Sequence, residues 1–151
     1  VLAARKNISL GEGGISVKAV ACDVPTLAVS LHGNSAEIRY GKPCQFFRAF
    51  GLLVEAIEDG KNDFSVTEKP QFDMNGVMFD MSQGNAAFNV KQTKSVLRNL
   101  ALMGLNMMML YTEDTYEVEG HPYFGYMRPR YSEEDMRELD AYADEFGIEM
   151  I

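Results

Sequence analysis

The sequence predicts an α/β protein in two parts. Residues 1–70 read as a small α+β domain and residues 71–151 as a β-α-β-α-β run of parallel type. Three observations predict this. In the first half, short strand-like segments flank a Gly-Asn turn and lead into one amphipathic helix. In the second half, short apolar segments without polar alternation take turns with helical ones, as parallel strands joined by crossover helices do. Between them, EKPQFDMNG around Pro70 is polar and breaks both patterns.

GEGG at residues 11–14 lacks the Lys-Ser/Thr and the following helix of a phosphate loop and reads as a turn. GGISVKAV then gives a strand. TLAVSLHGNSAEIRYG gives two strands around Gly33-Asn34, a hairpin signal. KPCQFFRAFGLLVEAIEDGK switches to helical period. Pro43 suits its first turn, Phe46, Phe47, Phe50, Leu53, Val54 and Ile57 form its stripe, and Gly60 suits its stop. DFSVTEK reads as the strand that completes this layer.

GVMFDMS opens the second part as a strand. NVKQTKSVLRNLALMGL is a helix with Val90, Val96, Leu97, Leu100 and Ala101 on its apolar side. NMMMLY, Met107–Met109 included, reads as a strand covered on both faces, with its methionines filling core. Ser132 and Asp135 make a capping box for the helix SEEDMRELDAYADEFG, Gly147 closes it, and IEMI begins a third strand. Such a run belongs either to an open sheet covered on both faces or to a closed barrel. Three strands do not close a barrel, and a (β/α)8 barrel takes about 250 residues. The expectation is therefore the front of something longer.

The 151 residues allow one domain or two small ones, and 46% hydrophobic with 24% charged residues marks a globular chain. The net charge of −8 argues against a nucleic-acid partner and against adsorption to anionic membranes. Cys22 and Cys44 have no metal or redox spacing and are expected as reduced, buried thiols. No signal-like segment opens the sequence and no apolar run approaches a membrane span, so the expected location is cytoplasmic. Val1 is not preceded by an initiator Met.

In either parallel architecture, ligands meet the carboxyl ends of the strands. After the first parallel strand come Asp80, Ser82, Gln83 and Asn85; after the second come Tyr111, Thr112, Glu113, Asp114 and Tyr116. The second connection runs on through Glu117, Glu119, His121, Tyr123, Phe124, Tyr126, Arg128 and Arg130 to Tyr131. At about twenty residues it far exceeds the usual two to six of such a loop. Flat aromatic rings with acids and arginines suit a sugar: rings stack on its C–H face and carboxylates accept from its hydroxyls. Plainer readings stand beside this one. Asp80 can cap the next helix or bond nearby amides. Glu113 and Asp114 can be solvated loop charges, and His121 can hydrogen-bond within its loop. Glu117, Glu119 and His121 are metal-ligand types without a recognised ligand spacing. Neither a Ser-His-Asp nor a Cys-His arrangement can be argued.

GVMFDMS followed by LALMGLNMMMLYTEDTYEVEGHPYFGYMRPRYSEEDMRELDAYADEFGIEMI resembles the opening of the catalytic domain of glycoside hydrolase family 20, the β-N-acetylhexosaminidases, and most of all its bacterial exo-acting members. The resemblance covers residues 72–151, and the first half is similar in element order to the small domain that precedes the barrel in that family. It implies a truncated (β/α)8 (TIM) barrel. It also implies a parent enzyme that removes terminal β-linked N-acetylglucosamine or N-acetylgalactosamine with retention, the substrate's own acetamido oxygen acting as nucleophile and no cofactor taking part. The family's catalytic Asp-Glu pair ends the fourth strand, so the resemblance places no catalytic residue in this chain and implies that the chain alone is inactive. It implies sugar contacts at Asp80, Gln83, Asn85, Tyr111, Glu113 and Asp114, with His121 and Tyr123 peripheral. Two family arginines are missing: Gln83-Gly84 stands where one follows the strand-end serine, and Asn75 stands where another precedes Gly76. Those losses support an alternative, a carbohydrate-binding relative without catalysis.

Overall fold

A computed structural model describes residue 8 and residues 11–82 and 87–151. Gln83 and Asn85 lie outside the described residues. Two compact units make up the chain, one running to Asp73 and including Leu102–Gly104, the other formed by Met74–Ala101 and Leu105–Ile151.

The first unit contains β1 (Ser16–Ala21), β2 (Leu27–His32), β3 (Ser35–Tyr40), α1 (Pro43–Glu58) and β4 (Asp63–Glu68). Its sheet has the order β1-β3-β2-β4, with β1 parallel to β3 and the other pairs antiparallel. Gly33 takes φ 58 while Asn34 keeps an ordinary φ, the pattern of a tight hairpin turn with glycine first. That turn sets a register in which Val29 faces Ile38 and Leu31 faces Ala36. Strict alternation then puts Leu27, Val29, Leu31, Ala36 and Ile38 on one face. Ala49 and Leu53 of α1 pack on them, with Phe46, Phe50, Phe64 and Val66 partly buried around the rim. The large side chains of the predicted α1 stripe are there, but its most buried positions include Cys44, Ala49 and Ala56, small residues that let the helix approach closely. Gln45 completes the helix start: its Oε1 accepts from the backbone N–H of Gly41 (2.8 Å) and Lys42 (3.1 Å).

The second unit is β5 (Gly76–Asp80), α2 (Val90–Met103), β6 (Met107–Tyr111), α3 (Glu133–Asp144) and β7 (Glu149–Met150). The three strands are parallel, in the order β5-β6-β7. β5 begins with glycine for a steric reason, since a Cβ at Gly76 would sit 2.0 Å from the Met107 carbonyl oxygen. Asn89 and Gln92 exchange side-chain-to-backbone bonds of 2.9 Å each and cap α2. Ser132 and Asp135 cap α3 in the same reciprocal way. Right-handed crossovers along a sheet whose strands follow chain order put both helices on one face. Met108 and Leu110 of β6 are buried, as are Leu97 of α2 and Leu139 and Ala143 of α3.

Two sequence expectations change. β6 is fully covered on one face only: on the other, Met107 and Met109 are half-buried and Tyr111 is 47% exposed, and Met78 of β5, level with Met109, is 58% exposed. Cys44 is a buried free thiol, but Cys22 is only half-buried, because it lies just past the end of the edge strand β1. Among the described residues, no helix is long and apolar enough to cross a membrane.

Candidate functional site

The register of β5 on β6 decides which strand-end residues meet. Asp80 is the direct partner of Tyr111, so both side chains leave the same end of the sheet on the face away from the helices. The Asp80 carboxylate turns back on the chain, its Oδ1 accepting from the Ser82 N–H (3.0 Å) and hydroxyl (2.6 Å). The reading of Asp80 as a local backbone bonder therefore describes its geometry, and the same bonds fix the carboxylate at the strand end. Tyr111 donates its hydroxyl to Glu113 at 3.1 Å. That carboxylate, with Asp80 adding in the same direction, holds the Tyr111 phenol above its ordinary range. Glu113 itself sits at φ 48, a left-handed conformation that non-glycine residues rarely adopt.

The long connection after β6 is a closed lobe. Tyr116 and Tyr131 bridge its two ends, the Glu117 N–H donating to the Tyr131 carbonyl (2.9 Å) and the Tyr131 N–H to the Thr115 carbonyl (3.0 Å). Inside, turns follow one another: His121 N–H bonds Val118 O, Phe124 N–H bonds His121 O, and Arg128 N–H bonds Gly125 O. Gly125 is required where it is, because a Cβ there would lie 2.0 Å from the Asp114 carbonyl oxygen. Met127, at φ 65, carries left-handed strain without that excuse. The lobe is pinned to the rest of the unit by Tyr131, whose buried hydroxyl donates to the Phe88 carbonyl and lies 3.3 Å from the Thr93 hydroxyl. Burial pushes the Tyr131 phenol pKa up.

The structure thus gathers Asp80, Tyr111 and Glu113 through the strand register, and brings in Asp114 through Arg128. The Arg128 Nη2 donates to the Ser82 backbone carbonyl and lies 3.6 Å from the Asp114 carboxylate. His121 and Tyr123 sit out on the lobe, Tyr123 being 82% exposed with its ring edge-on to Tyr126 at 6.2 Å. No described hydrogen bond or ring contact joins either to the strand-end group. Glu117 pairs with Arg130 at 3.8 Å, and among the described residues no three His, Cys, Asp or Glu side chains are arranged to hold a metal. Sequence reasoning placed Arg128 in the loop but not among the candidate contacts. The only signal was a cation in an acidic stretch, and no periodicity foretells that it folds back on Ser82. Chemically, the group offers carboxylates that accept, a phenol that does both and a guanidinium that donates, a set matched to a polyhydroxylated ligand.

No family model matches the sequence, and neither does any curated protein. Solved structures do match. One is a glycoside hydrolase family 20 β-N-acetylglucosaminidase with a TM-score of 0.78 and 18% identity, aligned over 99% of this chain and 35% of its own. An inactive mutant of the Vibrio harveyi exo-β-N-acetylglucosaminidase has a TM-score of 0.75 and 18% identity, over 98% of this chain and 29% of its own. A mutant Streptomyces plicatus β-hexosaminidase in complex with product N-acetylglucosamine has a TM-score of 0.71 and 15% identity, over 99% of this chain and 37% of its own. The chain shares its fold with glycoside hydrolase family 20 β-N-acetylhexosaminidases. The likeness takes in both units, including the first, where the sequence resemblance was carried by element order alone. The chain spans about a third of the length of these structures.

Proposed function

We propose that this chain is the N-terminal portion of a glycoside hydrolase that removes terminal β-linked N-acetylhexosamine by substrate-assisted, retaining hydrolysis. In this reading residues 71–151 open a (β/α)8 barrel, and the catalytic Asp-Glu pair lies beyond the chain. The observation that carries the proposal is the fold likeness over 98–99% of the chain to enzymes of this one family. The exposed Met78 on the helix-free face adds support, since parallel strands are ordinarily buried on both sides and a barrel interior would cover that face. Asp80, Tyr111, Glu113 and Asp114 then form one wall of the sugar pocket, with His121 and Tyr123 at its margin.

The test is hydrolysis by the full-length protein. It is expected to release para-nitrophenolate from the N-acetyl-β-D-glucosaminide or galactosaminide and to leave the matching β-glucoside intact, because only the acetamido sugar carries its own nucleophile. Cleavage of the plain glucoside at a similar rate would refute the substrate-assisted mechanism. Residues 1–151 alone are expected to be silent, because a general acid must lie within hydrogen-bond reach of the leaving oxygen. A second reading, binding without catalysis, is favoured by Asn75 and by Gln83-Gly84, neutral residues where the family carries arginines. It predicts saturable binding of N-acetylglucosamine with no turnover.

A further inference from the structure

We infer that Arg128 is itself a ligand-contacting residue of this site, its guanidinium donating to a hydroxyl oxygen on the bound sugar. The inference rests on the carbohydrate reading above. It starts from how unevenly the side chain is used. Every described contact of the Arg128 guanidinium is made by Nη2, to the Ser82 carbonyl and to Asp114. Among the described residues, Nε and Nη1 have no hydrogen-bond or ion-pair partner. A guanidinium is planar, so the two Nη2 contacts set its orientation and leave Nε–H and Nη1 as separate donors on opposite sides of the anchored nitrogen. Arg130 makes a useful contrast. Its Nη1 donates to the Phe124 carbonyl at 2.9 Å and its Nη2 pairs with Glu117, so its fork is taken up in holding the lobe together.

Position agrees with the unused donors. The two anchors follow β5 and β6, so the guanidinium spans the carboxyl ends of both strands, beside the Asp80, Tyr111 and Glu113 group. The side chain is 33% exposed, reachable by a ligand yet partly shielded from water. The i→i+3 bond from the Arg128 N–H to the Gly125 carbonyl (3.0 Å), with Met127 held left-handed inside that turn, fixes the backbone from which the side chain extends. The neighbours also need such a group. Asp80, Glu113 and Asp114 can only accept as carboxylates, whereas a sugar hydroxyl has lone pairs as well as a proton. With Gln83 neutral, Arg128 supplies charged donors that the carboxyl end of β5 does not.

The experiment uses the full-length protein with para-nitrophenyl N-acetyl-β-D-glucosaminide and its monodeoxy analogues. Arg128→Gln is expected to lower kcat/KM about tenfold to hundredfold, the range for a lost hydrogen bond to a charged group. Arg128→Lys keeps the charge without the fork and is expected to fall nearly as far. The deciding readout is coupling: for at least one deoxy analogue, wild type and variant should converge, because the hydroxyl that Arg128 holds is already gone. An equal loss on every analogue would show that Arg128 merely shapes the loop and would overturn the inference, as would no loss at all. For a case in which neither variant folds, the Arg128 Nε–H resonance of the wild type is followed while N-acetylglucosamine is added. A shift is expected, and its absence at saturation overturns the inference. Wild-type protein that neither binds nor cleaves the sugar would instead sink the carbohydrate reading, and this inference with it.

Discussion

The two sheets of this chain solve the same problem differently. In the first unit, the antiparallel strands β2, β3 and β4 alternate inward and outward residues and lay their apolar face under α1. In the second, three parallel strands place both crossover helices on one face and leave Met78 and Tyr111 exposed on the other. Alternation is what a sheet needs when one face meets water. Its absence in GVMFD and MMMLY is a demand for cover that the described residues meet on one side only. The candidate site grows from that second, half-covered sheet. Its strand ends and the loop behind them hold every proposed contact, while the completed layer supplies none.

The largest expected effect tests the completed layer. Leu31 is fully buried near the end of β2, one of the two inner strands of its sheet. Leu31→Ala removes buried methyl groups and leaves a cavity, at a cost of about 2–5 kcal/mol. Urea unfolding followed by circular dichroism measures it, with hydrogen exchange at the Val29 amide to assign the loss to this unit. A cost under about 1 kcal/mol would mean that this core is far looser than its burial indicates.

Next comes the pin that holds the long lobe. Tyr131→Phe removes the hydroxyl that donates to the Phe88 carbonyl and meets Thr93, itself fully buried. Thr93 keeps its bond to the Asn89 carbonyl (3.1 Å), so the loss falls on the Phe88 carbonyl, and leaving that acceptor without its donor should cost about 1–3 kcal/mol. Amide exchange within the lobe should accelerate more than exchange in β6. Uniform acceleration across the second unit would mean that the lobe is not a separate closing element.

How far the sequence revealed all this depends on whether a feature is periodic. Gly33-Asn34, the apolar strands and the Ser132–Asp135 box are local patterns, and each stands where its spacing placed it. The burial of Ala49 and Ala56 was not legible, because small residues read as spacers until a close-packed partner is known. At the strand ends, Asp80 and Tyr111 could be named from the sequence, but their side-by-side placement required the register. Arg128 reaching Ser82 is a long-range contact through an aperiodic loop, and no local rule predicts it.

A smaller effect sharpens the α3 cap. The Ser132 backbone N–H and hydroxyl both donate to Asp135, and these bonds hold its carboxyl pKa below the usual range. A pKa lowered by folding means that the folded state binds fewer protons. The stability this contributes is therefore present at neutral pH and is lost as the pH falls below the ordinary Asp value of about 3.9. Ser132→Ala should cost about 1 kcal/mol at pH 7 and progressively less in acid. Asp135→Asn should flatten the same limb of the stability curve. A cost for Ser132→Ala that is unchanged at low pH would separate the cap from the charge.

The smallest effect bears most directly on the comparison of the two sheets. In residues 1–151, Met78 is 58% exposed, so Met78→Ala should change stability by no more than about 0.5 kcal/mol. Its register partner Met109 lies on the same face, whereas Met108 on the helix face is fully buried, and Met108→Ala should cost about 2–5 kcal/mol in the same chain. The contrast becomes informative when both substitutions are repeated in the full-length protein. If residues 71–151 open a (β/α)8 barrel, the face carrying Met78 becomes packed interior. Met78→Ala should then rise toward the Met108→Ala cost, because the same methyl and methylene groups would leave a cavity instead of water. A Met78→Ala cost that stays near zero in the longer protein would count against the barrel and favour an open sheet with one solvated face.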